Sequence, residues 1–120
     1  MKTLHVTIPN HAYDIVIGND VIDRAAEFVG RVASPAKILI VTDEHVEPLY
    51  AGRVQDSLRA VAEVKTVTLA AGETTKSMHY LTMLYDAAFD FGMTRKDLIV
   101  ALGGGVIGDL TGFCASTLFR

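Results

Sequence analysis

A strand that must run into a turn without side chains and then into a helix constrains this chain more than anything else in it. Leu98, Ile99, Val100, Ala101 and Leu102 are consecutive apolar residues, Gly103, Gly104 and Gly105 follow, and Val106, Ile107, Leu110, Phe113 and Cys114 then recur at helical spacing. Five apolar residues without polar alternation suit a strand buried on both faces, and the glycines end it. Backbone N–H groups in such a turn can approach an anion closely. The helix that opens there adds unpaired N–H groups and a positive dipole end. Gly103, Gly105 and Gly108 also satisfy the G-x-G-x-x-G spacing of dinucleotide sites, a pattern that says little by itself.

The rest of the chain fits around that unit. Residues 4–8 and 13–17 alternate about Pro9, Asn10 and His11 and predict an antiparallel hairpin. Asn19 or Asp20 can cap a helix whose stripe is Val21, Ile22, Ala25, Phe28, Val29 and Val32, stopped at Ser34 and Pro35. Residues 37–43 predict a second buried strand. A helix with Val46, Leu49, Tyr50, Val54, Leu58 and Val61 on one face follows, and then an alternating strand over 63–69. A third helix starts near Ser77, buries Met78, Leu81, Leu84, Tyr85, Ala88 and Phe91, and ends at Gly92. After the hairpin, helices and strands alternate, which predicts an α/β fold: a Rossmann-like, mostly parallel sheet with flanking helices.

With 120 residues, half of them hydrophobic, the chain can bury a real core. Its net charge of −3 without a block of like charge points away from nucleic acid and from anionic membrane surfaces. The single cysteine, Cys114, forms no internal disulfide, and no apolar run reaches the roughly 18 to 20 residues of a membrane span. The start of the chain lacks the apolar core of a signal peptide, so the expected location is cytoplasmic. His5, His11, His45 and His79 have no ligand-like spacing, and no metal site is expected in these residues. The chain also stops at Phe119 and Arg120 with no return strand, which reads as one domain, or part of one, from a longer enzyme.

Open α/β sheets bind ligands beyond the carboxyl ends of their strands, and three such ends can be named. Asp43 follows the second buried strand, where a carboxylate could accept both hydroxyls of a ribose or simply cap the next helix. Ala71, Gly72, Glu73, Thr74, Thr75 and Lys76 follow the alternating strand, where Glu73 and Lys76 could bind a ligand or form a surface ion pair. The glycine turn with Asp109 is the third. Asp109 lies in a first helical turn, which favours any carboxylate, and the glycines could serve close helix–strand packing. Convergence of all three at one sheet edge favours a ligand.

The run Gly103-Gly104-Gly105-Val106-Ile107-Gly108-Asp109-Leu110-Thr111-Gly112-Phe113, preceded by Gly72-Glu73-Thr74-Thr75-Lys76-Ser77 and by Val41-Thr42-Asp43-Glu44, resembles the 3-dehydroquinate synthases and their sugar-phosphate cyclase relatives. The resemblance covers the whole chain but only the N-terminal part of the family's length. It implies an NAD-binding α/β domain over residues 1–120. A C-terminal domain carrying a divalent metal, zinc or cobalt, and most of the substrate contacts would be absent from this chain. It implies a carbon–oxygen lyase of the shikimate pathway, on the route to chorismate and the aromatic amino acids. That enzyme converts 3-deoxy-D-arabino-heptulosonate 7-phosphate to 3-dehydroquinate and phosphate, with NAD reduced and reoxidised within each turnover. A homodimer is implied for the full-length enzyme.

By the same resemblance Asp43, Glu73 and Lys76 hold the adenosine portion of NAD, with Ala71, Gly72, Thr74 and Thr75 in the same loop. Gly104, Gly105 and Val106, continued by Ile107 and Gly108, form the pyrophosphate cradle, and Asp109 lies near the nicotinamide end. Arg120 matches an arginine that reaches substrate phosphate, and no residue of the chain is assigned to catalysis or to metal. One departure from the ordinary dinucleotide fingerprint matters: the acidic residue normally comes about 20 residues after the glycines, whereas Asp43 precedes them. An NAD-dependent polyol or glycerol-type dehydrogenase and a non-catalytic nucleotide-binding module remain the alternatives. The 120-residue chain mixed with substrate, NAD and zinc is expected to release no phosphate. Release at the rate of an intact enzyme, in a phosphate assay, would overturn that expectation.

Overall fold

The computed structural model describes residues 1–119 and shows an α/β fold in which one strand is enclosed on all sides. Strands β1 (Lys2–Ile8) and β2 (His11–Ile17) form an antiparallel hairpin in which Leu4 faces Ile15 and Val6 faces Tyr13. Its two-residue turn places Asn10 at φ 67°, a conformation that asparagine adopts more readily than most residues. A short 3-10 turn (Val21–Arg24) runs into α1 (Ala25–Gly30). Next come β3 (Lys37–Asp43), a π-helical turn (Glu47–Ala51) continuous with α2 (Gly52–Leu58), and β4 (Glu63–Leu69). A 3-10 turn (Glu73–Thr75), α3 (Met78–Asp90), β5 (Leu98–Leu102) and α4 (Gly105–Thr117) complete the described chain.

The second sheet is parallel with the order β4-β3-β5, so β3 has a neighbour on each side. Its alternating side chains feed two cores. Leu39 and Val41 pack with Leu69, Leu81, Leu84, Ala88, Ile107, Leu110 and Cys114 on the face covered by α3 and α4. Ile38 and Ile40 pack with Val54 and Leu58 of α2 on the other face, with Ile22, Ala25 and Val29 against them. The chain leaves β3 for β4 on one side by way of α2, then crosses to the far side of β3 by way of α3. The winding direction reverses between β3 and β5. In open α/β sheets that reversal opens a crevice at the carboxyl ends of the strands.

Several sequence expectations are corrected. β5 is an edge strand among the described residues, with Ala101 exposed, and β3 alone is buried on both faces. A run of apolar residues is the same for a central strand and for an edge strand whose flanks are covered by helices. Asp20 holds the position before the first helical turn at φ 58° but makes no capping bond; its carboxylate pairs with Arg53 Nη2 at 3.0 Å. Leu49 and Tyr50 are exposed, because the wide turn at Glu47–Ala51 turns Ala51, Val54 and Leu58 inward in their place, and Val61 is exposed because it lies in the turn after α2 has ended. Met78 is 71% exposed, while Ser77 caps α3 by accepting a hydrogen bond from the Tyr80 N–H.

Asp97 ties the start of the parallel sheet together. Its carboxylate accepts hydrogen bonds from the N–H groups of Thr94, Lys37 and Ala36, at 2.9, 3.0 and 3.2 Å. Burial works against its charge, but these donors and the Thr94 hydroxyl outweigh it and hold the carboxyl below the ordinary range. A carboxyl depressed in the folded state stabilises it fully above the unfolded value, near pH 4, and that contribution is lost as pH falls through the folded value. Thermal melts from neutrality to about pH 3 should therefore show the wild type losing stability on the acid side more steeply than Asp97→Asn. Parallel curves would remove Asp97 from that role.

Candidate functional site

Because the three strands are parallel, their carboxyl ends lie at one edge, and the residues singled out in the sequence come to that edge together. Thr42 is the last residue of β3 in register with β5, opposite Leu102, so Asp43 and Gly103 leave the sheet side by side at the winding reversal. The β4 end is tied to the β3 end. Glu44 N–H donates to the Leu69 carbonyl at 2.9 Å, and Glu44 Oε1 accepts from the Ala71 N–H at 3.3 Å. Glu44 is a residue that the sequence reading did not assign, and this bracing role leaves no local pattern from which to find it.

Asp43 does cap the turn after it. Oδ1 accepts from the N–H groups of His45 and Val46, both at 2.9 Å, which fixes the carboxylate in one orientation. Oδ2 takes no hydrogen bond from the described residues, so one oxygen is committed to the fold and the other is left for a hydroxyl donor. The capping and binding readings are therefore compatible at this residue.

The loop after β4 divides its labour. Gly72 has φ 108°, where a Cβ is strained, so glycine is required for the backbone to turn there. Thr75 is fully buried, and its hydroxyl donates to the Ala70 carbonyl, so this hydroxyl shapes the loop and is not presented to a ligand. Glu73, Thr74 and Lys76 are exposed on the loop's outer side.

Lys76 reaches across to α4. Its Nζ lies 2.8 Å from Asp109 Oδ2 and 3.7 Å from Glu73 Oε2. The hydrogen bond to Asp109, followed by the charges of Asp109 and Glu73, raises the pKa of the ammonium and keeps it protonated. A local Glu73–Lys76 ion pair was foreseeable from their spacing; the shorter bond to Asp109 was not, because it joins elements far apart in sequence. Beside this pair lies a cleft of about 290 Å³ walled mainly by Met78, Leu81, Leu110 and Phe113. Met78 and Phe113 belong to this wall; helical periodicity alone would place them in the core.

The glycine turn also separates into two roles. A Cβ on Gly103 would meet the Ile107 side chain at 3.1 Å, so this glycine permits close packing of α4 on β5. Ile107 itself is buried, and only its backbone can contribute to a site. A Cβ on Gly104, Gly105 or Gly108 would meet nothing within 4 Å, and neither Gly104 nor Gly105 has positive φ. Neither internal packing nor backbone conformation requires glycine at 104 and 105. Gly104 caps α4 without any side-chain bond, and the Gly108 N–H to Gly104 carbonyl bond, 3.0 Å, opens the helical ladder. The N–H groups of Gly105, Val106 and Ile107 precede that bond and face the open space in front of the helix. This is an open, N–H-rich surface with the positive end of a 13-residue helix behind it.

Arg120 lies outside the described residues. Among the described residues no group of three or more His, Cys, Asp or Glu converges as a metal site, and no helix is long and apolar enough to cross a membrane. Cys114 is buried, and that burial pushes its thiol pKa up.

Residues 66–120 match the family described as 3-dehydroquinate synthase N-terminal. The chain is 42% identical over 118 residues to the 3-dehydroquinate synthase of Enterococcus faecalis and 44% identical over 121 residues to that of Clostridium botulinum. These alignments cover 98% and 100% of this chain but 33% and 35% of the relatives, so the chain spans about a third of their length. Among solved structures, 2-deoxy-scyllo-inosose synthase in complex with carbaglucose-6-phosphate, NAD+ and Co2+ superposes with a TM-score of 0.89. The match covers 99% of this chain and 33% of that one, and at 23% identity it bears on the fold alone. A 2-epi-5-epi-valiolone synthase from Streptomyces hygroscopicus with NAD+ and Zn2+ bound superposes with a TM-score of 0.73 at 28% identity, over 93% of this chain and 31% of that one.

The two glycine roles are separable by mutation. Gly103→Ala should lower the melting temperature, at a cost of about 1 to 3 kcal/mol for forcing Ile107 aside, while Gly104→Ala should leave it nearly unchanged. Equal melting temperatures for the two variants would contradict this division.

Proposed function

We propose that the chain is the NAD-binding domain of an enzyme of the 3-dehydroquinate synthase family: residues 66–120 match the family described as 3-dehydroquinate synthase N-terminal, and curated relatives of that name align over 98–100% of this chain. The observation that carries the reading is the glycine turn at the winding reversal. Its N–H groups are unpaired, its space is open, and the half-committed carboxylate of Asp43 leaves the sheet beside it. A dinucleotide needs both parts: donors for a pyrophosphate and an acceptor for ribose hydroxyls. Gly104, Gly105 and Val106, with the backbone of Ile107 and Gly108, would take the pyrophosphate. Asp43 Oδ2 and Glu73 would take the hydroxyls of the adenosine portion, on a loop shaped by Ala71, Gly72 and Thr75 and carrying Thr74 and Lys76 on its outer side. Asp109 would lie toward the nicotinamide end.

When bound, NAD supplies a reversible hydride acceptor. The residues of this chain bind and orient it and take no proton themselves. The proposed reaction of the whole enzyme is conversion of 3-deoxy-D-arabino-heptulosonate 7-phosphate to 3-dehydroquinate and phosphate. We place the zinc or cobalt site and the reacting acid–base groups in the part of such enzymes that this chain does not contain. Arg120 is proposed as a contact to substrate phosphate, the working state as a cytoplasmic homodimer, and the substrate as a small sugar phosphate with neither nucleic acid nor membrane involved.

A full-length protein carrying this sequence should release phosphate from the substrate with NAD present and without accumulating NADH, measured by phosphate assay and NADH absorbance together. Net NADH would indicate a polyol-type dehydrogenase, and NAD binding without turnover a binding module. Gly105→Val, whose Cβ falls in open space, should weaken NAD binding by roughly a hundredfold or more by filling the cradle, with a thermal melt checking that the variant is folded. Unchanged affinity in calorimetry would refute this placement of the pyrophosphate.

A further inference from the structure

The proposed cradle carries an electrostatic contradiction. The N-terminus of α4 favours an anion, but Asp109 lies on that helix and Asp43 and Glu73 lie at the same sheet edge. A pyrophosphate brought to the glycine turn would share one sheet edge with three carboxylates, and like charges gathered there cost binding energy unless a cation intervenes. Lys76 is the cation in contact with two of them, 2.8 Å from Asp109 and 3.7 Å from Glu73. Both side chains are exposed, so solvent and salt screen their charges in part, and the 2.8 Å contact makes Lys76 the nearest compensating charge for Asp109.

We propose that Lys76 is a charge-balancing positioning residue: it ties Asp109 to the loop after β4 and cancels its charge, so that a diphosphate-bearing nucleotide can occupy the glycine turn with Asp109 beside it as a hydrogen-bond acceptor. This rests on the dinucleotide reading above and adds what that reading leaves open, namely how an acidic residue is tolerated next to the cradle. It also makes Lys76 dispensable when Asp109 is neutral. A lysine that only donates to the ligand would be needed whether or not Asp109 is charged.

A double-mutant cycle on the full-length protein separates the two roles, with NAD as the probe and its dissociation constant measured by calorimetry. Lys76→Met should weaken NAD binding by roughly tenfold, and Asp109→Asn by less. The double variant should bind about as well as Asp109→Asn alone, because the uncompensated charge is gone. Lys76→Arg should hold its affinity, and the Lys76→Met defect should shrink as salt is raised, as expected for exposed charges. Thermal melts identify any variant that misfolds, and Lys76→Gln then replaces Lys76→Met in the cycle. A double variant as weak as Lys76→Met, or weaker, would overturn the charge-balancing role while leaving the dinucleotide site standing. A wild type that binds no NAD would overturn both.

Discussion

Everything in this fold depends on the burial of one strand. Residues Ile38, Leu39, Ile40, Val41 and Thr42 of β3 are fully shielded from solvent, which requires a strand on each side and a helical layer on each face. A strand satisfied in this way has all its backbone groups paired and both rows of side chains in apolar surroundings, so its position is strongly determined. The layers around it follow: α2 over Ile38 and Ile40, α3 and α4 over Leu39 and Val41. The carboxyl end of β3 is therefore held between two strands at the site edge. Asp43 stands there with one oxygen held by two backbone N–H groups.

The site is assembled from what that frame leaves unsatisfied. Gly103 lets α4 approach closely enough to seat Ile107 in the core, and this sets the helix N-terminus at the mouth of the crevice. Gly104 and Gly105 leave the approach to that N-terminus clear. The loop after β4 is held from inside by the Thr75 hydroxyl and from the side by Glu44, so Lys76 reaches Asp109 from a braced base. Adjacent glycines and neighbouring loop residues thus serve different ends, some the fold and some the open surface.

Much of the architecture is readable from residue pattern. Strands over 37–43, 63–69 and 98–102 and a helix beginning at Ser77 follow from apolar runs, alternation and capping chemistry, and the structure agrees with them. The misreadings share a cause. The stripe through Leu49 and Tyr50 assumes a uniform helical period, and a π-helical turn at Pro48 breaks it. The capping carboxylate at Asp20 assumes a local partner, whereas Arg53 on α2 takes it instead. Local rules fail where a contact from a distant element outcompetes the local one.

The sequence by itself determined the α/β class, the strand–glycine–helix unit and the three groups of polar residues at strand ends. Each of these rests on periodicity, on the conformational freedom of glycine or on short-range hydrogen bonding, all encoded within a few residues. Only the tertiary structure decided that β3 is central and β5 an edge, that winding reverses between Asp43 and Gly103, and that Lys76 meets Asp109. Those outcomes depend on which segments pair across long stretches of chain. That is a competition among packings of the whole molecule, and no local pattern of residues contains its result.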